Sequence, residues 1–198
     1  MCGKTPLPPL SANLDSTATG INLQGQIVGL AETASGAIHA VTWKRSAGAY
    51  TIQDFGVLPG GTNSSASAIS DGGASSANIV GTSDNATEAS QAFLIQGSNV
   101  SPLTALVAGL NSSASSVAIA NSIYYVVGSV EFNTGAVHAA VWESNSAGQI
   151  GSAIDLGTLP NGLNRCASDV VSIGGVPAAV GSSETGTGAT RAVVFTNF

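Results

Sequence analysis

The sequence is poor in aromatic side chains, in charges and in cysteine. Its 198 residues include five Phe, three Tyr and two Trp, only two cysteines, and eleven acidic residues against five basic ones, for a net charge of −6. Nucleic-acid binding depends on clustered cations that displace counterions from phosphates. Because the five basic residues are scattered along the chain, the composition argues against a nucleic-acid partner.

Long apolar runs and helical patterns are also missing. No run approaches the roughly 20 apolar residues that cross a bilayer, and no signal-peptide pattern follows Met1. No window combines helical periodicity with helix caps. The chain is instead rich in glycine (25 residues), in small polar residues and in Ala, Val, Ile and Leu. This composition predicts one all-β domain of many short strands joined by tight turns.

A two-strand motif recurs four times at a constant internal spacing. It is an Ile/Val/Ala-Val-Gly triplet followed, 11 residues after the glycine, by the alanine of a second apolar segment. The four glycine and alanine pairs are Gly29 and Ala40, Gly81 and Ala92, Gly128 and Ala139, and Gly181 and Ala192. Such a register over the whole chain indicates an internal repeat.

Each repeat contains two further apolar segments, so that it predicts four short strands: a (Ala-x-x-Ile/Val), b (Val-Val-Gly), c (Ala-x-x-Trp) and d, which ends at Leu. We predict strands d at Ile52–Leu58, Val100–Leu106 and Ala153–Leu159. An Asn follows each of these leucines by five residues and precedes the next strand a. The predicted repeats cover residues 15–58, 66–106, 114–159 and 167–198 of a single domain.

The two ends of the chain complement each other. Leu7–Leu10 stands where a strand d is expected, and the last repeat stops after strand c. Pairing of Leu7–Leu10 with Arg191–Phe195 would complete the last sheet and leave no sheet edge open. We therefore expect a four-bladed β-propeller of four-stranded antiparallel blades, closed by the N-terminal strand. A β-sandwich or an open repeat array is the alternative.

These motifs resemble the HAF repeats of bacterial extracellular proteins. The resemblance is carried by Gly25–Gly29 (Gly-Gln-Ile-Val-Gly), by Asp155–Leu159 (Asp-Leu-Gly-Thr-Leu), and by His39–Trp43 and His138–Trp142. The His-Ala-Phe triplet itself is degenerate in every copy. The family implies secretion or surface display of a repeat-built β fold and brings no catalytic residues.

Polar residues recur at fixed places in the repeats. Three residues after each glycine stands a carboxylate, and ten residues after it a hydrogen-bond donor. One interpretation pairs each acid with that donor across the b–c hairpin, which would set the hairpin register. The other places the acids, with the Asn residues of the d–a loops, on one face as a site for a polar ligand such as a glycan, or for calcium. The candidate ligand-binding residues are Glu32, Asp84, Glu131, Glu184, Asn63, Asn111 and Asn164.

No catalytic constellation is evident. The two histidines, His39 and His138, belong to opposite repeats, and no Gly-x-Ser-x-Gly elbow or phosphate-binding loop occurs. Cys166 is expected in a d–a loop and Cys2 near the opposite face, so that we predict two free thiols.

We predict a non-enzymatic, secreted or surface-tethered binding module for a protein or glycan ligand, without a cofactor or resident metal. Cys2 stands where a lipid anchor would provide the one contact with a membrane. A glycan-acting hydrolase with carboxylates in the central opening, or a structural spacer, is the alternative.

Overall fold

The computed structural model describes residues 3–72, 77–87, 89–145 and 148–198, and these contain fifteen β-strands. The described part of the chain contains no helix, and thus no helix that could cross a membrane. The strands are β1 (Ser16–Ile21), β2 (Ile27–Glu32), β3 (Ile38–Ser46), β4 (Ala49–Asp54), β5 (Ser64–Ile69), β6 (Asn78–Asp84), β7 (Ser90–Gln96), β8 (Asn99–Pro102), β9 (Ser112–Ala120), β10 (Ile123–Glu131), β11 (Val137–Glu143), β12 (Ile154–Asp155), β13 (Arg165–Ile173), β14 (Val176–Glu184) and β15 (Thr190–Thr196).

The strands form four separate antiparallel sheets that follow the order of the repeats. Sheet 1 has the order β1-β2-β3-β4, sheet 2 β5-β6-β7-β8, sheet 3 β9-β10-β11-β12 and sheet 4 β13-β14-β15. Each predicted repeat thus forms one antiparallel meander, in which neighbours in sequence are neighbours in the sheet. The chain has an all-β, propeller-like fold.

The fourth strand of sheets 1, 2 and 3 differs from the prediction in position and length. Strand d runs over Ala49–Asp54, Asn99–Pro102 and Ile154–Asp155, so that it ends well before the predicted leucine. Leu58 is nevertheless only 2% exposed, because the loop after β4 brings it into the core against sheet 2. The repeated leucine therefore marks a loop residue, buried at Leu58 and half-buried at Leu106 and Leu159, and not a strand end.

A β-bulge explains the repeated glycine of strand b. In every sheet the register of strands a and b slips by one residue beside that glycine, as between Ala114 and Ser116 in sheet 3. The bulge brings a strand-a carbonyl so close that a Cβ on Gly128 would overlap the backbone oxygen of Ser113. The glycine therefore accommodates its own sheet's bulge, not the approach of a neighbouring sheet.

The core lies between successive sheets. We call the side of a sheet that packs on the next one its forward face, and the opposite side its rear face. Strand b of each sheet packs on strand a of the next: β2 on β5, β6 on β9 and β10 on β13. At the interface of sheets 2 and 3, Val80 and Leu94 on the forward face meet Val117 and Trp142 on the rear face. Strands b and c of sheets 2 and 3 are buried on both faces, which explains their continuous apolar runs.

The predicted ring closure is not formed. Residues 7–10 belong to no strand, and sheet 4 has three strands among the described residues. Leu7 and Leu10 pack on the rear face of sheet 1, and Trp43 Nε1 donates a hydrogen bond of 2.8 Å to Pro8 O. Pro8 and Pro9 have no N–H to donate to a neighbouring strand, and the contacts with Trp43 hold this segment on sheet 1.

We expect Gly128→Ala to destabilise the fold by about 2–3 kcal/mol, because the new methyl group must displace the strand-a backbone at the bulge. Chemical denaturation followed by circular dichroism measures the change. Gly151→Ala is the matched control, since a Cβ there meets its nearest neighbour, Glu143 O, at an ordinary 3.5 Å. Equal stability of the two variants would contradict this account of the repeated glycine.

Candidate functional site

The d–a loops and the b–c turns lie at one end of the sheets, which we call the loop face. There the predicted Asn and acidic residues contact each other. Asn111 donates a 2.6 Å hydrogen bond from Nδ2 to Glu131 Oε2, and its Oδ1 accepts the Ser90 backbone N–H at 2.9 Å. Ser90 belongs to sheet 2 and Glu131 to sheet 3, so the Asn side chain links two neighbouring sheets. The same links are made by Asn63, with Asp84 and Ile38, and by Asn164, with Glu184 and Val137.

The predicted pairing of each acid with the donor seven residues later is wrong. Glu32 lies opposite Ile38, and His39 lies opposite Ala31, because an odd number of residues, 33–37, separates strands b and c. A shift of one residue turns the acid and the donor to opposite faces of the sheet. Asp84, Glu131 and Glu184 therefore contact the d–a loops, whereas the two histidines contact strand d.

The first sheet lacks the Asn link, and the residue in its place was missed by the sequence analysis. Asp15 O accepts the Glu32 backbone N–H at 2.9 Å, as Asn111 O accepts that of Glu131. Asp15 precedes Ala18 by three residues, as each linking Asn precedes the strand-a alanine, so this spacing could have identified it. Glu32 therefore faces a carboxylate where the other acids face a carboxamide.

Both carboxylate oxygens of Asp84 accept hydrogen bonds, whereas in the described chain only one oxygen of Glu131 and of Glu184 does. Its Oδ1 accepts the backbone N–H groups of Thr62 and Asn63 at 2.6 and 2.7 Å, and its Oδ2 accepts Asn63 Nδ2 at 3.3 Å. Partial burial by itself raises the pKa of Asp84, but these hydrogen bonds outweigh burial and lower the pKa below its usual value. Asp84 is thus a structural carboxylate that closes its own loop.

Glu131 and Glu184 line two neighbouring clefts on the loop face. The first, of about 480 Å³, is lined by Thr82, Ser90, Asn111, Ser112, Ser113, Ser129, Glu131 and Val137. The second, of about 420 Å³, is lined by Val137, Asn164, Arg165, Cys166, Ser182, Glu184 and Thr190. The clefts share Val137, and most of their residues occupy equivalent repeat positions. The structure therefore brings four of the predicted site residues into two equivalent clefts.

The histidines contact strand d of their own sheets. His39 Nδ1 lies 2.9 Å from Asp54 Oδ2, and His138 Nδ1 lies 3.0 Å from Asp155 Oδ2. They belong to sheets 1 and 3, which are not adjacent, as the repeat order predicts. No serine or cysteine is bonded to either ring among the described residues, so neither pair activates a nucleophile.

One of these pairs includes a buried arginine. Arg165 is 4% exposed and lies at the strand-a position where sheets 2 and 3 have Ser64 and Ser112. Its Nη2 donates to Asp155 Oδ1 and lies 2.8 Å from His138 Nδ1. His138 Nδ1 can donate its proton to Asp155 or accept one from Arg165, but not both. If it donates, Asp155 accepts hydrogen bonds from both His138 and Arg165 Nη2.

The environment of Asp155 favours its charged form. Partial burial by itself raises the pKa of Asp155, but hydrogen bonds from His138, Gly157 N–H and Arg165, with the positive charge of Arg165, lower the pKa below its usual value. Arg165 Nε and Nη1 are buried without a hydrogen-bond partner in the described residues. The carboxylate of Asp155 is thus the counter-charge of a guanidinium held between sheets 3 and 4.

The repeated acids lie apart from one another. No three His, Cys, Asp or Glu side chains of the described ranges converge in a way that could hold an ion, so the four acids do not meet at one point. Cys166 is a free thiol in β13, not in a loop, with Sγ 3.2 Å from Ser182 Oγ. Cys2 lies outside the described residues.

No family model matches the sequence, and no curated protein matches it. Among solved structures, an exo-β-1,3-galactanase from Phanerochaete chrysosporium with β-1,3-galactotriose is 14% identical over 96% of this chain and 49% of that chain, with a TM-score of 0.46. A hypothetical protein from Leishmania major is 8% identical over 90% and 65%, with a TM-score of 0.47. Trypanosoma rangeli sialidase in complex with sialic acid is 10% identical over 89% and 30%, with a TM-score of 0.44. The chain thus spans less than two thirds of the length of each, and the similarity assigns it no activity.

We expect Asp155→Asn to destabilise the protein by about 2 kcal/mol, because the buried Arg165 loses its counter-charge. Thermal and chemical unfolding measure the loss. Asp54→Asn is the matched control: it occupies the same strand-d position and contacts His39, but has Ser64 in place of the arginine. A control as destabilising as Asp155→Asn would show that the arginine is not responsible.

The lowered pKa of Asp84 predicts an acid-dependent contribution to stability. A carboxylate whose folded pKa lies below its unfolded value of about 3.9 contributes fully above that value, and the contribution is lost as pH falls through the folded pKa. The stability difference between the wild type and Asp84→Asn should therefore shrink between about pH 5 and pH 2. Denaturant titrations at each pH test this. A stability difference that stays the same at every pH would contradict this role of Asp84.

Proposed function

We propose that this protein is a non-enzymatic binding module whose loop face holds a neutral oligosaccharide. The binding surface consists of the two equivalent clefts that contain Glu131 and Glu184. Glycan hydroxyl groups are both donors and acceptors, and proteins bind them with carboxylates, carboxamides and hydroxyls placed side by side. The two clefts present this set of groups.

The observation that carries the proposal is an unused carboxylate oxygen in each cleft. Asn111 and Asn164 bind only Oε2 of Glu131 and Glu184, and no residue of the described chain bonds to either Oε1. The Asn contact fixes each carboxylate, while Oε1 remains available to accept a hydrogen bond from a ligand hydroxyl. A hydrogen bond to a charged group contributes about 1.5–3 kcal/mol.

The arrangement of the clefts fits a ligand with repeating units. Val137 lines both clefts, so they adjoin, and each presents its carboxylate at the same repeat position. A pair of small polar side chains recurs as well: Ser113 Oγ lies 2.8 Å from Ser129 Oγ in the first cleft, and the Cys166 thiol and the Ser182 hydroxyl occupy these positions in the second. An oligosaccharide can repeat the same contacts in both clefts along one chain.

Charge favours a neutral ligand. The protein carries a net charge of −6, and each cleft contains a carboxylate. The one arginine beside the clefts, Arg165, is paired with Asp155 and buried between the sheets. A polyanionic ligand would meet like charges without an exposed cation in either cleft to offset them.

The proposal places the protein outside the cell or on its surface. This rests on the resemblance to the HAF repeats of bacterial extracellular proteins, with Cys2 as the position for a lipid anchor. A binding module on the cell surface would hold soluble or wall-bound glycans near the cell.

We expect the purified protein to bind members of an array of neutral oligosaccharides, with affinity then measured by isothermal titration calorimetry. The double variant Glu131→Gln/Glu184→Gln should weaken binding by about tenfold or more, because each ligand hydroxyl loses a charged acceptor. Glutamine keeps an oxygen for Asn111 and Asn164, so the melting temperature should change little.

Glu32→Gln is the matched control, since this acid occupies the same repeat position but has no cleft partner of the Asn type. It should bind as the wild type does. Absence of binding to every neutral glycan, or equal affinity of the double variant and the wild type, would refute the proposal.

A further inference from the structure

We infer that two copies of this chain associate head to tail, the forward face of sheet 4 in one copy packing on the rear face of sheet 1 in the other. The chain already contains this interface three times, between sheets 1 and 2, 2 and 3, and 3 and 4. Its fourth occurrence is split between the two ends of the array, where the forward face of sheet 4 and strand a on the rear face of sheet 1 are exposed.

One side-chain pair identifies the missing interface. In each internal interface a strand-b valine and a strand-a Ile or Val belong to one core cluster: Val28 with Ile69, Val80 with Val117, and Val127 with Val170. The three valines are fully buried. The fourth pair would be Val180 with Ile21, and these side chains are 46% and 66% exposed. The sequence supplies both partners, but the structure holds them apart.

Strand c shows the same exposure on the forward face. Thr42, Leu94 and Val141 lie under the following sheet and are at most 3% exposed, whereas the equivalent Val194 is 66% exposed. Ala192 is exposed too, although its equivalents Ala40, Ala92 and Ala139 are buried. The exposed forward face of sheet 4 therefore has the same apolar residue types as the forward faces that are buried in sheets 1, 2 and 3.

The rear face of sheet 1 leaves its strand a exposed, so that the forward face of sheet 4 from a second copy can pack on it. Ala18 and Ile21 of strand a are exposed, although their equivalents in sheets 3 and 4 are buried. Leu7 and Leu10 do not block this strand, because they cover Trp43 in the way that Leu103 and Leu106 cover Trp142 at the interface of sheets 2 and 3. The indole hydrogen bonds to Pro8 O and Thr104 O confirm the equivalence.

Polar groups complement the apolar contact. In two internal interfaces a strand-a serine accepts a strand-c N–H of the preceding sheet: Ser64 from Ala40 and Ser112 from Ala92. The equivalent groups of the proposed interface are Ser16 and the N–H of Ala192. On the loop face, Asp15 stands at the position of the linking Asn, and its carboxylate can accept the Thr190 N–H, as Asn111 accepts that of Ser90.

The contact joins two different surfaces, so it is heterologous. Such contacts produce closed rings when the rotation between copies closes, and filaments when it does not. Two copies that use both of their free faces would form one ring of eight sheets. The proposal does not depend on the ligand of the loop face, because the apolar interface residues Ile21, Val180 and Val194 do not line either cleft, although Thr190 lines the second one.

We expect the mass measured by light scattering after size exclusion, and by sedimentation across a concentration series, to rise to at least two chains. Val194→Glu places a charge in the contact and should raise the dissociation constant at least about tenfold. Leu163→Glu is the control, because Leu163 is 67% exposed on a d–a loop outside the contact. A monomer at every concentration, or equal effects of both variants, would overturn the inference.

A cross-linking experiment separates this contact from closure within one chain. In a background of Cys2→Ser and Cys166→Ser, a mixture of Val180→Cys and Ile21→Cys chains should give a disulfide-linked heterodimer upon mild oxidation. Val180→Cys with Leu163→Cys in the second chain is the control pair and should not cross-link. A Val180→Cys/Ile21→Cys double variant that forms only an intrachain disulfide would show that sheet 1 of the same chain covers sheet 4, and would refute the association.

Discussion

The structure depends on one repeated contact, in which the forward face of a sheet is covered by the rear face of the next. A four-stranded sheet of small aliphatic residues cannot bury both of its faces alone, and this chain has few aromatic side chains to enlarge a core. Each sheet is therefore stable only within the stack. The same requirement explains the buried alanines of strands a and c, since close packing of neighbouring sheets leaves no space for larger side chains.

The polar residues of the loop face follow from that stacking. Sheets that pack through apolar faces leave backbone N–H groups unpaired at their ends, and the linking Asn residues satisfy one such group per interface, as Asn111 does for Ser90. The acids hold those Asn side chains in place. Where the acid is an aspartate, as at Asp84, both oxygens are used internally; where it is a glutamate, as at Glu131, one oxygen remains available. The proposed binding clefts thus arise from groups whose first role is structural.

Departures from the repeat distinguish the individual sheets. Arg165 replaces the interface serine and carries a buried positive charge that needs Asp155, so the contact of sheets 3 and 4 depends on an ion pair where the others depend on a hydroxyl group. Glu32 faces Asp15 in place of an Asn. The first departure lies at the interface of sheets 3 and 4, and the second lies at the start of sheet 1. Each is therefore next to an end of the array.

The sequence by itself determined the number of repeats, the antiparallel meander within each and the strands of the core, because spacing and alternation are local and recur four times. It did not determine the b–c register, since one residue more or less in a turn leaves the pattern unchanged but reverses the face of every side chain, as for Glu32 and His39. Only the tertiary structure decided whether the array closes. Closure depends on the angle at which successive sheets pack, and the volumes of many small side chains along the whole stack set that angle. No local motif such as Leu7–Leu10 determines it.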